Sequence, residues 1–326
     1  MNIGVIGGGA WGTALAQVAA SDGRECLLWA LEGEVVESIN DRHENAVFLP
    51  GIALADGIRA TSNLPDLTTC DALLVVTPAQ HMRRVLEQLP GGGKPLILCA
   101  KGIEERSGAL LHDVAREICP SAQIAVLSGP TFAHEVARGL PTAVTLAADE
   151  PALAEQLRER LAQPAFRIYV SDDVAGAEIG GAVKNVLAIA CGVVEGKGLG
   201  QNARAALISR GFAEMTRFGL ACGARRETLA GLAGLGDLVL TCSSTSSRNY
   251  SLGKGLGEGR SASELMADRR TVAEGAFTAP VLARLARDKA VDMPIVDAVA
   301  ALIAGRSSVD EVLSGLLARP PRAEAV

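Results

Sequence analysis

The spacing of apolar residues divides the chain into two parts. Up to about residue 171, short apolar runs of strand length alternate with amphipathic stretches of helix length. The run at residues 73–76 is apolar at every position, which is typical of a parallel strand covered on both faces. Such an alternation predicts a doubly wound α/β domain with a mostly parallel sheet. The predicted strands span residues 2–6, 25–29, 58–61, 72–77, 95–100, 123–127, 142–146 and 166–170.

Beyond residue 171 the apolar residues recur at helical spacing, and no convincing strand is found. Helices are predicted at residues 173–194, 203–222, 278–288, 292–305 and 308–317. We therefore predict an α/β domain over residues 1–171, an all-helical domain over 172–317 and a disordered, Pro- and Ala-rich tail over 318–326. The length of 326 residues agrees with two domains of about 150 residues each.

Composition and charge argue against several classes of protein. Aromatic residues make up 3% of the chain and the net charge is −6, so binding of nucleic acid is not expected. Neither a signal peptide nor an apolar run of transmembrane length is found, and we expect a cytoplasmic protein with no membrane span. The 7 cysteines and 4 histidines lack the spacing of a metal site, so no metal is predicted.

The first of many glycine clusters carries a motif. Gly7, Gly9 and Gly12 follow the first predicted strand and open a helix, which is the G-x-G-x-x-G pattern in the context that dinucleotide binding requires. These glycines would allow a tight turn, close approach of a pyrophosphate and close packing of helix on strand. The helix N-terminus, near Ala10, would hold the pyrophosphate through free N–H groups. The first domain is therefore predicted to be a dinucleotide-binding Rossmann domain.

An acidic residue stands where an NAD-binding domain needs one. Glu32 follows the second predicted strand, 20 residues after Gly12. A carboxylate there can accept a hydrogen bond from the ribose 2′-OH of NAD. The alternative is an ordinary surface acid, because Glu34 and Glu37 lie nearby.

A lysine interrupts the most apolar helix of the second domain. Lys184 lies near the middle of a stretch that is apolar all round, and such a helix is normally buried. Burial can lower the pKa of a lysine far enough for general acid/base catalysis. The alternative is a structural lysine paired with a core carboxylate. The nearby Gly180 and Gly181 weaken the helix, which indicates that something approaches its backbone closely.

Further candidates follow predicted strands or stand among glycines. Lys101 follows the strand at residues 95–100, where open α/β sheets bind ligands, although a solvated loop lysine is the alternative. Asp237 lies in the sequence GLGDL, where a carboxylate needs a partner such as a buried lysine. Arg248 and its serine and asparagine neighbours could bind a phosphate. A flexible polar loop is the simpler interpretation of residues 243–250.

Seven blocks of sequence, in order along the chain, resemble the bacterial-type NAD(P)-dependent glycerol-3-phosphate dehydrogenases over residues 2–317. The blocks span residues 7–13, 45–51, 101–104, 128–133, 180–185, 234–241 and 247–249. The resemblance implies a Rossmann domain followed by an all-α domain of the 6-phosphogluconate-dehydrogenase-like type, which holds substrate and catalytic groups. It also implies reversible hydride transfer between NAD(P)H and dihydroxyacetone phosphate, giving sn-glycerol 3-phosphate for phospholipid synthesis.

The same resemblance implies roles for individual residues. Lys184 matches the catalytic general acid/base of the family. The positions that match substrate contacts are Lys101, Gly129, Thr131, Lys184, Asp237, Ser247, Arg248 and Asn249. The positions that match dinucleotide contacts are Trp11, Lys101, Ala133, Arg248, Val272 and Glu274. Together with Gly7, Gly9, Ala10, Gly12 and Glu32, these residues form the predicted site.

The residues after the second predicted strand bear on the choice of cofactor. Many relatives carry a basic or histidine side chain where this chain has Leu31 and Glu32, and Glu32 would repel a 2′-phosphate. We therefore expect NAD to be preferred over NADP. The expected partner is a small phosphorylated substrate, and a homodimer is one option for the oligomeric state. The alternatives are a related dehydrogenase of another keto or hydroxy substrate, such as ketopantoate reductase, and a non-catalytic NAD(H)-sensing module.

Overall fold

The computed structural model describes residues 1–90, 93–267 and 273–320, and the chain forms two compact units. The first unit contains Met1–Ala100 and Leu111–Val174, and the second contains Lys101–Leu110 and Ala175–Val326. The main division therefore lies close to the predicted boundary at residue 171. The sequence pattern gave no indication that residues 101–110 group with the second unit. Most of the predicted tail, residues 321–326, lies outside the described residues.

The first unit is built around one sheet. Its strands are β1 (Ile3–Ile6), β2 (Cys26–Trp29), β3 (Ile58–Thr61), β4 (Ala72–Val75), β5 (Leu96–Leu98), β6 (Ile124–Ser128), β7 (Thr142–Ala148) and β8 (Phe166–Ser171). The strand order is β3-β2-β1-β4-β5-β6-β7-β8, and every neighbouring pair is parallel except β6 and β7. The doubly wound, mostly parallel sheet is thus confirmed, with every strand end within two residues of the predicted one.

Helices connect these strands and form the core with them. They are α1 (Ala10–Ala20), α2 (Gly33–Arg42), α3 (Ala79–Leu86), α4 (Leu111–Ile118), α5 (Ala133–Ala137) and α6 (Pro151–Leu161). Leu15 and Val18 of α1 pack into the same apolar cluster as Val5 of β1 and Leu28 of β2. Strands β1, β4, β5 and β6 are buried at every residue, as expected when both faces of a parallel sheet are covered.

Beyond residue 174, the described residues of the second unit form helices and contain no strand. The helices are α7 (Val174–Gly196), α8 (Gly200–Ala221), α9 (Arg226–Ala230), α10 (Asp237–Thr241), α11 (Arg248–Gly257), α12 (Ala262–Leu265), α13 (Glu274–Asp288), α14 (Pro294–Ile303) and α15 (Val309–Leu317). The five predicted helices are α7, α8, α13, α14 and α15. The four between α8 and α13 were not predicted.

Helix α7 forms the centre of the second unit. Its apolar side chains between Ile179 and Val193 belong to the apolar core of that unit. Among the described residues, α7 is the one helix that is long and apolar enough to cross a membrane, and its most apolar window is 100% buried in the protein. This burial is typical of a core helix. The cysteines are free thiols, and all but the half-buried Cys222 are buried, as expected of small core residues.

Candidate active site

The glycine turn between β1 and α1 has the shape that its motif predicts. Gly7 adopts φ +128°, and a Cβ there would lie 3.0 Å from the backbone of Val76. A Cβ on Gly12 would lie 1.9 Å from the carbonyl oxygen of Gly7, so the helix packs on the turn only without a side chain. By contrast, a Cβ on Gly9 would meet nothing within 4 Å. The backbone at Gly9 is thus accessible to a ligand.

The N-terminus of α1 is suited to an anion. The N–H groups of a first helical turn have no intrahelical partner, and here the N-cap residue is Gly9 and no side chain caps the helix. Together with the helix dipole, these groups favour a phosphate. Trp11 is half-buried, and its buried Nε1 finds no hydrogen-bond partner in the described part of the chain. The residues present therefore fit a dinucleotide.

Other predicted residues of the first unit lie at the same edge of its sheet. Strands β1, β2 and β6 run in one direction, so the residues that follow them share the carboxyl edge. Glu32 is half-buried at the N-cap of α2, shortly after β2. Gly129 and Thr131 follow β6, and Ala133 begins α5, where it packs on the same core as Trp11. Gly129 also has a packing reason, because a Cβ there would lie 2.9 Å from the Cα of Val144 in β7.

In the second unit, two lysines share one buried carboxylate. Nζ of Lys184, in the middle of α7, lies 2.7 Å from Oδ1 of Asp237, the first residue of α10. Nζ of Lys101 lies 2.6 Å from Oδ2 of the same carboxylate. Asp237 is 0% exposed and Lys184 is 6% exposed. The predicted pairing of Asp237 with a buried lysine is therefore observed, and two ammonium groups with one carboxylate carry a net positive charge.

Burial tunes the acidity of Lys184. The pKa of Lys184 is lowered to about 8, mainly because burial removes solvation; the carboxylate of Asp237 raises this pKa and the nearby charge of Lys101 lowers it. A lysine with this pKa exchanges its proton near neutral pH. The same arrangement satisfies the structural alternative, since Lys184 is paired with a core carboxylate. A structural pair, however, does not require the second ammonium group of Lys101.

Thr241 completes the environment of Lys184. Nζ of Lys184 donates to Thr241 Oγ1 at 2.8 Å, and Thr241 Oγ1 lies 3.2 Å from Asp237 Oδ1. Thr241 was not among the predicted site residues. The available signal was its spacing, because residues four apart on a helix lie on one face and Thr241 follows Asp237 by four.

A chain of asparagines connects this cluster with α11 and α13. Asn185 Nδ2 donates to the carbonyl oxygen of Lys101 at 3.1 Å. Asn249 Nδ2 donates to Asn185 Oδ1 at 2.9 Å, and Asn249 Oδ1 accepts from the Gly275 N–H at 2.9 Å. Asn249 is thus bound to Asn185, the residue after Lys184, and to Gly275, the residue after Glu274. Asn185 was not predicted, and Val272 lies outside the described residues.

The polar segment at residues 243–250 is not a flexible loop throughout, which corrects the simpler interpretation. Ser247 is the N-cap of α11, and its Oγ accepts a hydrogen bond from the Tyr250 N–H at 3.2 Å. Arg248 is the first residue of this helix. Its side chain is exposed and makes no hydrogen bond or ion pair with the described residues. The guanidinium is therefore available to a ligand beside Asn249.

Two glycines near this cluster are packed against protein backbone, which accounts for the close approach to α7 that Gly180 indicated. A Cβ on Gly180 would lie 2.4 Å from the carbonyl oxygen of Ala233, and a Cβ on Gly234 would lie 1.9 Å from that of Leu229. The segment around Asp237 is helical, with a π-helical turn at Leu232–Gly236 followed by α10. These glycines let backbone segments approach each other, which brings Asp237 to Lys184.

Comparisons with known proteins show the family of the chain. The family model for the NAD-dependent glycerol-3-phosphate dehydrogenase N-terminus matches residues 2–154, and the model for the C-terminus of the same family matches residues 173–314. The chain belongs to this family. It is therefore an oxidoreductase of an NAD(P)-dependent family with a Rossmann-type domain and a helical domain.

Individual members of the family resemble the whole chain. A glycerol-3-phosphate dehydrogenase (NAD(P)+) from Erythrobacter litoralis is 67% identical over 99% of this chain and 97% of its own length. One from Sphingopyxis alaskensis is 63% identical over 99% of this chain and 98% of its own. The crystal structure of glycerol-3-phosphate dehydrogenase from Coxiella burnetii has a TM-score of 0.93 at 38% identity, covering 98% of this chain and 99% of that one.

Proposed function

We propose that the chain catalyses reversible hydride transfer between NAD(P)H and dihydroxyacetone phosphate, with sn-glycerol 3-phosphate as the product of reduction. The product would supply the glycerol backbone of phospholipids. Membership of the glycerol-3-phosphate dehydrogenase family supports the substrate. We also propose a cytoplasmic location, as expected for an enzyme of soluble NAD(P)H and a small phosphorylated substrate. A homodimer is the option to examine first by light scattering.

The observation that carries the proposal is the cluster of Lys101, Asp237 and Lys184. Reduction of a ketone develops negative charge on its oxygen atom. A buried cluster with a net positive charge would stabilise that oxygen, because few water molecules screen the interaction. A balanced ion pair would not supply this excess of positive charge.

Lys184 is proposed as the general acid/base. In reduction its ammonium group would give a proton to the developing alkoxide and become a neutral amine. In oxidation the amine would take the proton of the substrate hydroxyl. When bound, the nicotinamide supplies or accepts the hydride. Asp237 and Thr241 would hold Nζ in place, and the negative charge of Asp237 would keep a useful fraction of Lys184 protonated.

Binding of the substrate phosphate is proposed for Arg248. Its planar guanidinium suits a phosphate, and its exposed position at the start of α11 supports the proposal. An anchored phosphate would position the reacting carbon by remote binding energy. The remaining proposed substrate contacts are Lys101, Gly129, Thr131, Asp237, Ser247 and Asn249.

Binding of the dinucleotide is proposed for the glycine turn. Its open backbone at Gly9 and the free N–H groups of α1 suit a pyrophosphate. Glu32 is proposed to accept from the ribose 2′-OH and thereby to favour NAD over NADP. The other proposed contacts are Gly7, Ala10, Trp11, Gly12, Lys101, Ala133, Arg248, Val272 and Glu274.

A single assay tests the proposal against its alternatives. Nicotinamide absorbance is followed with NADH and dihydroxyacetone phosphate, and then with NADH and ketopantoate. Turnover of the first substrate alone is expected. Turnover of ketopantoate would favour the related dehydrogenase, and no turnover of either would favour an NAD(H)-sensing module.

The role of Lys184 is tested by Lys184→Ala. We expect kcat to fall by about 10²- to 10⁴-fold, the usual contribution of general acid/base catalysis. Lys101 still neutralises Asp237 in this variant, so the carboxylate is not left without a partner. The matched control is Lys197→Ala, which removes an exposed lysine just beyond α7. A near-normal kcat in Lys184→Ala would refute the acid/base role.

A further inference from the structure

A buried asparagine outside the predicted site is connected to the glycine turn. Asn45 lies in the loop after α2 and is 0% exposed. A hydrogen bond of 2.7 Å from the Leu54 N–H to the His43 carbonyl closes this loop. His43 has φ 50°, a left-handed conformation that ends α2. Residues 45–51 form one of the seven family-like blocks, yet none of them belongs to the predicted site.

The carboxamide of Asn45 uses all of its polar atoms. Nδ2 donates to the Gly8 carbonyl oxygen at 2.8 Å and to Thr13 Oγ1 at 2.7 Å. Oδ1 accepts from the Phe48 N–H at 3.0 Å. These partners allow one orientation of the amide, because a carbonyl only accepts and a backbone N–H only donates. The side chain of Asn45 is therefore fixed by hydrogen bonds and connects its loop with the glycine turn.

The hydrogen bond from Asn45 to the Gly8 carbonyl sets the direction of the peptide that joins Gly8 to Gly9. The peptide is planar and trans, so its N–H points away from its carbonyl. With the Gly8 carbonyl held on the buried carboxamide, the Gly9 N–H faces the opposite side. This N–H makes no hydrogen bond within the described residues, and the adjacent Cα faces open space. A peptide turned the other way would present a carbonyl oxygen to an anion.

Thr13 supports the same turn from the helix side. Its Oγ1 accepts from Asn45 and donates to the Gly9 carbonyl at 3.0 Å, and its backbone N–H donates to the same carbonyl at 2.9 Å. Thr13 is 0% exposed. The carbonyls of both Gly8 and Gly9 are therefore occupied by protein donors, and the Gly9 N–H is left for a ligand.

We propose that Asn45 is a positioning residue for dinucleotide binding, which aims the Gly9 N–H at the pyrophosphate by holding the Gly8 carbonyl inside the protein. The inference rests on the proposed binding of NAD(P) at the glycine turn. Asn45 has no exposed surface, so it acts through the turn and not by contact with the dinucleotide.

The test measures binding separately from catalysis. ADP-ribose carries the adenosine and pyrophosphate of NAD without the nicotinamide, and its Kd is measured on the full chain by titration calorimetry. For Asn45→Ala we expect the Kd of ADP-ribose and the KM of NADH to rise about tenfold or more, because an amide that is no longer aimed loses a hydrogen bond to a charged group. The KM of dihydroxyacetone phosphate and kcat at saturating NADH should stay within about twofold.

A matched control separates positioning from general destabilisation. Asn40 lies in α2 of the same unit and makes a similar pair of backbone hydrogen bonds, to the carbonyl (2.9 Å) and N–H (2.8 Å) of Ala60. Asn40→Ala should leave the Kd of ADP-ribose unchanged. A loss in Asn40→Ala equal to that in Asn45→Ala would overturn the proposal.

A second variant, at Thr13, tests the same turn. Thr13→Val keeps the buried volume and removes the hydroxyl, so it should raise the Kd of ADP-ribose several-fold, and it decides the question if Asn45→Ala does not fold. If the folded variants bind ADP-ribose with a Kd within about twofold of wild type, the positioning role of Asn45 is overturned, while the proposed binding of NAD(P) still stands. If the wild-type chain binds neither ADP-ribose nor NADH, the proposed function fails first and the inference fails with it.

Discussion

Asp237 lies between two ammonium groups that would repel each other without it. Both of its carboxylate oxygens are engaged, one by Lys184 and one by Lys101. Burial lowers the pKa of Lys184 and the carboxylate raises it, so Asp237 determines how much of the lysine is protonated. At the scale of single residues, the proposed chemistry depends on that balance.

We expect the pH dependence of activity to follow Lys184, whose pKa is lowered to about 8 mainly by burial. Ketone reduction needs the ammonium form, so kcat/KM for dihydroxyacetone phosphate should fall as the pH rises above about 8. Oxidation of sn-glycerol 3-phosphate needs the amine and should fall as the pH drops below that value. Rate profiles in both directions measure the effect.

Asp237→Asn provides the check on this assignment. Without the carboxylate the pKa of Lys184 is no longer raised, so the decline in reduction should begin at lower pH. A decline that begins at the same pH in wild type and in Asp237→Asn would contradict the coupling of the two residues.

Glu32 is expected to govern the choice between the two dinucleotides. A carboxylate beside the ribose favours the 2′-OH of NAD and repels the 2′-phosphate of NADP. Wild type should show a higher kcat/KM with NADH than with NADPH, and Glu32→Ala should reduce this difference in kcat/KM. Glu34→Ala, which removes an exposed acid in the first turn of the same helix, is the control. An equal or higher kcat/KM with NADPH in wild type would contradict the expectation.

At the scale of elements, α7 packs against its neighbours backbone to backbone. A Cβ on Gly192 would lie 2.0 Å from the carbonyl of Tyr250, and a Cβ on Gly253 would lie 1.9 Å from that of Ile189. Helices α7 and α11 therefore approach closely through glycine. This approach brings Asn249 within hydrogen-bond distance of Asn185.

Gly180→Ala should lower stability and activity together. The new Cβ would lie 2.4 Å from the Ala233 carbonyl, so α7 and the turn before α10 must separate. We expect a loss of about 1–3 kcal/mol in the free energy of unfolding, the usual effect of overpacking. The Lys184–Asp237 distance of 2.7 Å should lengthen, and kcat should fall. Denaturant unfolding and steady-state kinetics measure the two effects.

The matched control for this substitution lies in α15. A Cβ on Gly315 would meet nothing within 4 Å. Gly315→Ala should therefore stabilise the helix by roughly 0.5–1 kcal/mol, because alanine loses less conformational entropy than glycine on folding. Equal effects of the two substitutions would show that helix propensity, and not the close approach of α7, explains the result.

At the scale of the whole molecule, we expect one buried carboxylate to make stability depend on pH. Glu214 in α8 accepts hydrogen bonds from the N–H groups of Ile295 (2.9 Å) and Val296 (3.2 Å) at the start of α14. Burial raises its pKa to about 7 in spite of these bonds. In the unfolded chain its pKa returns to the ordinary value of 4.5.

The sign of the effect follows from these two values. Between pH 4.5 and about 7 the folded protein holds a proton that the unfolded chain has released, so the free energy of unfolding falls as the pH rises through this range. The change is roughly 1.4 kcal/mol for each unit of pKa difference. The slope of the free energy of unfolding against pH in this range should be less negative in Glu214→Gln than in wild type. Glu227→Gln, an exposed acid of α9, should keep the wild-type slope, and an unchanged slope in Glu214→Gln would contradict this origin.

The sequence was sufficient where the physical cause is local. Continuous apolar runs predicted the fully buried strands β1, β4, β5 and β6, because a strand covered on both faces has no polar position. The glycine turn was predicted because its backbone excludes side chains within a few residues of one another. Lys184 and Asp237 were found because a charge among apolar neighbours needs a partner.

Helix α11 shows why other elements were missed. It contains Gly253, Gly255 and Gly257, and each glycine in a helix costs about 1 kcal/mol relative to alanine. The local signal is therefore weak, and the polar residues before it resemble a loop. Contact with α7, possible only through Gly253 and Gly257, offsets this cost.

The arrangement of the site was decided by contacts between residues far apart in sequence. Lys184 and Asp237 are 53 positions apart, and Lys101 and Asp237 are 136 positions apart. Asn45 and Gly8 are 37 apart. Composition, motif and resemblance indicated the chemistry, since each depends on which residues are present and on their local spacing. Which lysine meets which carboxylate oxygen, and which asparagine orients the glycine turn, depends on packing, because no local pattern encodes a partner at that distance.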